Sequence, residues 1–187
     1  MNNGAPSAES QGKVAAVIVA AGRGERAGQS VDAPKQYRRI GGVPIIRRTL
    51  EIFVRHPRID AVVVVIHKDD AELFEEAAGN LAAEVIAVAG GATRQDSVRL
   101  GLLALREAGP GKVLIHDAVR PFVDAALIDR TIAAIGEREA ALPAMPISDT
   151  LKREAKDGTV AETVARAGLH AAQTPQGFPF WPILAAH

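Results

Sequence analysis

Apolar positions in this chain fall into short unbroken runs separated by stretches with helical spacing. The first run, with Val14, Val17, Ile18 and Val19, predicts a buried strand. It empties into a loop rich in glycine and arginine (Gly22, Arg23, Gly24, Arg26, Gly28), followed by Pro34-Lys35-Gln36. Pro44 suits the first turn of a helix whose apolar face is Ile45, Ile46, Thr49, Leu50 and Phe53, ended by His56-Pro57. Ala61 to Ile66 is a continuous apolar strand, Asp69 to Ala78 a short helix and Glu84 to Val88 a third strand. Thr93 with Asp96 makes a capping-box start for a helix carrying Val98, Leu102 and Leu105. Lys112 to Ile115 is a fourth strand. Asp124 caps the next helix, with Leu127, Ile128, Thr131, Ile132 and Ile135 on one face, and Ala140 to Met145 is read as a fifth strand.

This alternation predicts an α/β fold with a mainly parallel sheet and helices on both faces. Ligands of such sheets sit at the carboxyl ends of the strands. The unusual polar residues gather there, in Arg23–Lys35, Gly90–Ser97 and His116–Arg120. After Asp149 the pattern changes: a polar stretch to Arg166 contains an Asp157-Gly158 turn and predicts a hairpin. It is either an exposed loop or an arm that packs on another subunit. His170 to Thr174 is a short strand candidate, and Phe178 to His187 starts an amphipathic helix. Residues 1–12 are small and polar and read as a disordered head, leaving residues 13–187 as one domain. No terminating signal follows the last helix, so the domain is expected to be truncated at its C-terminal end.

Composition narrows the chemistry. The 187 residues are 48% hydrophobic and 24% charged, and 22 basic residues cancel 22 acidic ones, so bulk charge recruits no nucleic acid and any cationic site must be local. There is no cysteine, which removes disulfides, thiolate metal sites and cysteine nucleophiles and fits a reducing cytoplasm. No apolar run is long enough to span a bilayer. With seven aromatic residues (five Phe, one Trp, one Tyr), no stacking platform for RNA is evident.

The glycine loop alone is compatible with several phosphate ligands. Gly22-x-Gly24-x-x-Ala27 satisfies the loose dinucleotide fingerprint, but the acidic residue wanted about 20 positions on, at the end of the second strand, is missing. No Gly-Lys-Ser/Thr follows, which removes a P-loop. Arg23, Arg26 and Lys35 in one loop after a buried strand suit a triphosphate, whose charge they offset. Asp117 is either a local ion-pair partner of Arg120 or a carboxylate for Mg²⁺. His116 is read as structural. Gly90-Gly91 either lets backbone meet a flat base, with Arg94 and Ser97 on the following turn, or is a flexible turn.

Six pieces then carry a resemblance: Ala20-Ala21-Gly22-x-Gly24-x-Arg26, Pro34-Lys35-Gln36-Tyr37, Gly90-Gly91-x-x-Arg94-x-x-Ser97-Val98, His116-Asp117-x-x-Arg120-Pro121, Asp149-Thr150-x-Lys152, and Arg166 followed by Thr174-Pro175-Gln176. In this order they resemble the 2-C-methyl-D-erythritol 4-phosphate cytidylyltransferase family of the non-mevalonate isoprenoid pathway. The resemblance implies a Rossmann-like nucleotidyltransferase fold with a protruding β-hairpin arm at about residues 147–167. It implies transfer of CMP from CTP to methylerythritol phosphate, giving 4-diphosphocytidyl-2-C-methyl-D-erythritol and pyrophosphate. Arg26 and Lys35 would be catalytic, and Ala20, Ala21, Gly22, Gly24, Gly91, Arg94, Ser97 and Ala118 would bind the nucleotide. Asp117, Arg120, Thr150, Arg166 and Thr174 would bind substrate, Asp117 would also hold Mg²⁺ or another divalent cation, and the arm would make a homodimer.

Two departures stand out. Ala92 occupies a position where the family often has an acidic residue near the base. The family's second catalytic lysine lies in an Asn-x-Lys-x-Thr-like segment beyond the position of His187, and some members continue into a fused 2-C-methyl-D-erythritol 2,4-cyclodiphosphate synthase. Two other readings remain: a cytidylyltransferase for ribitol or ribulose 5-phosphate, and a non-catalytic CTP-binding module.

Overall fold

The computed structural model describes residues 12–23 and 34–187. The expected disordered head lies outside the described residues apart from Gly12, and so do the predicted site residues Gly24 and Arg26. The first apolar run forms β1 (Val14–Ala20) at the centre of a five-stranded sheet. It pairs in parallel with β4 (Ala61–Ile66) on one edge and with β6 (Lys112–Asp117) on the other. Beyond β4 lies β5 (Ile86–Ala89), also parallel, and beyond β6 lies β11 (Gln176–Pro179), antiparallel. Between β1 and β4 come a 3-10 turn (Lys35–Tyr37), the two-residue strands β2 (Arg39–Ile40) and β3 (Val43–Pro44), and α1 (Ile45–Val54).

The unbroken apolar runs are explained by cover on both faces. Side chains alternate across a strand, so Val14, Ala16, Ile18 and Ala20 of β1 enter one core and Ala15 and Val17 the other. The first core is closed by α1, α2 (Ala71–Ala78) and α4 (Ala125–Ala134), through side chains such as Leu50, Phe53, Phe74, Ile128 and Ile132. The second is closed by α3 (Arg94–Ala104) and α5 (Phe180–Ala186), through Val98, Leu102 and Phe180. The expected caps form. Thr93 and Asp96 make a reciprocal capping box on α3, and Asp124 accepts from the Leu127 amide at 2.6 Å.

The fifth strand requires a correction. Ala140 to Met145 does not enter the main sheet as a strand: β7 (Ala144–Pro146) pairs antiparallel with β10 (His170–Ala172), and Ala141 alone bridges to Gly177. Pro143 and Pro146 cannot donate to a ladder, which unsuits this stretch for a sheet interior. The place beside β6 is taken by β11, whose Gly177 lies so close to α4 that an added Cβ would meet Ile135 Cδ1 at 2.7 Å.

The predicted hairpin is present as β8 (Leu151–Glu154) and β9 (Val160–Val164). Asp157 Oδ1 accepts from the Thr159 amide and hydroxyl, and these hydrogen bonds hold its carboxyl below the usual range. Gly158 takes φ +82°, which glycine allows without strain. Across the strands Arg153 Nε meets Glu162 Oε1 at 2.5 Å and Lys152 Nζ donates to Thr163 Oγ1 at 2.6 Å.

α3 approaches the sheet at Gly101, where a Cβ would stand 2.6 Å from Val17 Cγ1 and 2.9 Å from Val65 Cγ2. A Gly101→Ala substitution gains about 1 kcal/mol of helix propensity. Forcing α3 off the sheet costs about 1–3 kcal/mol. The steric term wins, so denaturant unfolding should show a less stable protein; an unchanged or raised midpoint would contradict this packing.

Candidate functional site

The chain winds from β1 outward through β4 to β5, then returns across β1 to form β6. The loops leaving β1 and β6 therefore diverge and leave a crevice at their carboxyl ends. A cavity of about 630 Å³ opens there. Its floor is the end of β1 and the residues after it, including the expected Ala20, Ala21 and Gly22.

One wall is the turn into α3, with Gly91, Arg94 and Ser97 lining the cavity. Gly90 and Gly91 are required by close approach: a Cβ on Gly90 would meet Ala21 Cβ at 2.5 Å, and one on Gly91 would meet Asp96 Cβ at 2.4 Å. Buried Ser97 donates to the Thr93 carbonyl at 3.0 Å and accepts from the Gly91 amide at 3.2 Å, so its hydroxyl fixes the shape of this wall. Ala92 also lines the wall and brings no charge.

The opposite wall carries Asp117, at the end of β6. Arg94 donates to its Oδ1 from Nη2 at 2.9 Å and Nε at 3.2 Å, and Arg120 Nε approaches its Oδ2 at 3.3 Å. The local ion pair with Arg120 exists, and Arg94 adds a second that spans the cavity mouth. Arg120 continues to Gln173 Oε1 at 2.6 Å.

Below this wall His116 is wholly buried and tilted against the Phe53 ring. Its Nε2 lies 3.0 Å from the Arg120 carbonyl, which can only accept, so Nε2 carries the proton. Nδ1 then accepts from the Thr174 hydroxyl at 3.0 Å, and that hydroxyl accepts from the Asp117 amide at 3.4 Å. The network fixes the backbone on both sides of the Asp117 side chain. Burial pushes the His116 pKa down to about 4.

Lys35 lines the rim from the 3-10 turn. Gln36, behind it, is buried and donates from Nε2 to the Ala20 carbonyl at 2.7 Å and the Gly22 carbonyl at 3.3 Å. Arg23 also faces the cavity, bound to Asp70 and His67.

Other predicted residues stand apart. Ala118 is buried beside the wall, its carbonyl accepting from Thr49 Oγ1 at 2.8 Å. Arg120 and Thr174 stand behind Asp117 instead of lining the cavity. Thr150 precedes β8 on the arm, and Arg166 follows β9 with its guanidinium on the Ser148 carbonyl; neither reaches the cavity lining. Asp70 and the His116–Thr174 contact were given no role from sequence, and Gln36 stood only as part of the Pro34-Lys35-Gln36-Tyr37 motif. The available signal was Gln36 beside Pro34-Lys35; the others join distant segments and leave none.

Among the described residues no group of three or more His, Asp or Glu could cage a metal ion. The donor set at the cavity is the Asp117 carboxylate, each of whose oxygens faces one arginine and keeps acceptor capacity. That fits Mg²⁺ held by one carboxylate together with a ligand's phosphates, and it does not fit an all-protein cage.

The family model described as 2-C-methyl-D-erythritol 4-phosphate cytidylyltransferase matches residues 14–187. A curated relative, the "Bifunctional enzyme IspD/IspF" of Mesorhizobium japonicum, is 67% identical over 187 residues, covering 100% of this chain and 46% of its own length. A second of the same name from a Chelativorans species is 57% identical over 94% of this chain and 43% of its own. This chain thus spans about half the length of the curated relatives it matches. Among solved structures, the 4-diphosphocytidyl-2C-methyl-D-erythritol synthase of Anaerococcus prevotii is similar with TM-score 0.77 and 31% identity, over 94% of this chain and 74% of that one.

The buried His116 makes stability depend on pH. An unfolded histidine titrates near 6.5 and the folded one near 4, so between these values only the unfolded chain takes up the proton. Its contribution is complete above about pH 6.5 and should fall by about 2 kcal/mol by about pH 5. Denaturant unfolding of the protein and of His116→Gln across this range checks it: the variant should have the flatter profile.

Proposed function

The chain belongs to the 2-C-methyl-D-erythritol 4-phosphate cytidylyltransferase family, and from that premise we propose that its cavity takes CTP and that the protein transfers CMP to methylerythritol phosphate. The observation that carries this is a cavity where the sheet's winding reverses. There Lys35 stands on the rim, a glycine backbone forms one wall and the Asp117 carboxylate the other.

In this reading the 4-phosphate oxygen attacks the α-phosphorus of CTP and the bond from that phosphorus to the pyrophosphate oxygen breaks. Both reactants are anions, so the work of the protein is alignment and charge stabilisation. Lys35, with Arg26, meets the charge that accumulates on the α-phosphate. Ala20, Gly91 and Ser97 border the cytosine, small enough to let backbone groups reach its edge. Asp117 would hold a divalent cation, which would supply positive charge to offset that of the phosphates, and Arg120 holds Asp117 from behind.

We further assign Thr150 and Arg166 to the methylerythritol phosphate site of a neighbouring subunit, with the arm as the dimer contact. Support comes from the apolar side chains left exposed on the arm and at its base: Val160 and Met145 at 63%, Leu142 at 55% and Leu169 at 40%. Removing residues 151–164 should convert a dimer to a monomer in sedimentation; a monomeric parent protein would leave the arm without this role.

Pyrophosphate release from CTP in the presence of Mg²⁺, measured with methylerythritol phosphate and with ribitol and ribulose 5-phosphates, tests the substrate. Turnover only with a pentose-derived phosphate, or CTP binding with no turnover even in a chain extended through the family's second lysine segment, would overturn the proposal. Lys35→Ala should lower kcat about 100-fold or more while CTP affinity changes much less. Equal losses in both would make Lys35 a binding residue only.

A further inference from the structure

Among the described residues Asp70 is the only buried carboxylate, and the proposed reaction does not use it. It sits at the N-cap of α2, yet its side chain makes no capping hydrogen bond. One oxygen is spent on Arg23 instead, Oδ1 lying 2.9 Å from Nη1. The other, Oδ2, has no hydrogen-bond partner, and neither has the buried hydroxyl of Tyr37. Burial, foremost, and the Asp70 charge hold the Tyr37 hydroxyl well above the usual tyrosine range, with Arg23 opposing.

Arg23 is gripped on its second nitrogen as well, Nη2 lying 2.6 Å from His67 Nδ1. A guanidinium only donates, so His67 must accept there and carry its proton on Nε2. Two of the five guanidinium donors are then used on the protein, and Arg23 still lines the cavity. Meanwhile Gln36 ties the turn that carries Lys35 to the Ala20 and Gly22 carbonyls. Asp70 thus stands between two stretches of chain that both contribute cations to one rim.

We infer that Asp70 is a positioning residue: it fixes Arg23 as an additional nucleotide-facing cation, and its unpaired oxygen takes the proton of the unpaired Tyr37 hydroxyl, steadying the turn that presents Lys35. An unpaired carboxylate in this place would take up a proton or draw in water. Paired, it converts a long flexible arginine into a fixed donor set, so less conformational freedom is lost when an anion arrives. The role of Arg23 rests on the nucleotide reading of the cavity; the Asp70–Tyr37 contact does not.

Tyr37 is the only tyrosine, so tyrosinate absorbance reports this contact alone. In the full chain Tyr37 should resist ionisation until alkaline unfolding, and in Asp70→Asn it should ionise at lower pH while circular dichroism shows the fold retained. Calorimetry should show CTP binding weakened about tenfold in Asp70→Asn and in Arg23→Gln, with the double variant no worse than the worse single one. An unchanged Tyr37 titration, CTP affinity within about twofold of the parent, or additive losses in the double variant would overturn the proposal. If Asp70→Asn does not fold, Arg23→Gln carries the test, and an unchanged CTP affinity in it overturns the assignment. A parent protein that binds no CTP would refute the nucleotide reading, and the tyrosine titration would still decide whether Asp70 holds Tyr37.

Discussion

Because β1 is hydrogen-bonded in parallel on both edges, the connections that follow it must leave in opposite directions. The early connections lead to β4 and β5, and the later one to β6. The opening between the loops of β1 and β6 is therefore a result of winding, before any side chain is considered. Burial on both faces makes that opening rigid: a one-residue slip of β1 would exchange the sets Val14, Ala16, Ile18 and Ala15, Val17 between two cores of different shape. Ala20 and Asp117, at the ends of paired strands, inherit that precision.

On this frame the electrostatics are arranged by pairing. The chain carries no net charge, yet Arg23, Lys35 and Arg94 line the cavity and Arg120 stands behind Asp117. Three of these are tied to carboxylates, Arg23 to Asp70 and Arg94 and Arg120 to Asp117. Among the described residues Lys35 has no such ion pair. The two pairs on Asp117 are partly exposed and add little to stability. Their value is geometric, since a paired guanidinium has a defined place, while Lys35 keeps a charge available to a ligand.

Much of this was legible from the residues. Strand runs, helix stripes, the capping box of Thr93 and Asp96 and the Asp157-Gly158 turn are local signals, and the local elements followed them. The loops after β1, β5 and β6 were identified as the ligand end because strand order and polar content agree there. What stayed hidden depends on contacts between distant segments. The mispaired fifth strand is one case, since β11 wins the place beside β6 through a fit between Gly177 and α4 that no nearby residue announces. The bond from Thr174 to His116 is another, made across 58 positions. Asp70 fell inside a helix expected from Asp69 to Ala78, and only the fold shows that it stands at the N-cap with its carboxylate on Arg23 instead of the helix.

That same bond has a consequence for the order in which the molecule comes together during synthesis. β1, β4, β5 and β6 with their helices occupy the first two-thirds of the chain and can pair as they emerge. Thr174 and β11 follow only after the arm has been made. Until then the free edge of β6 has no cover, and the backbone around Asp117 lacks the hydroxyl that holds it. The pairing of β11 is non-local and pays its loop-closure cost late. A nascent chain can thus own a nearly finished sheet while its crevice is still unset, and the wall bearing Asp117 is completed only after the arm and β11 have been made.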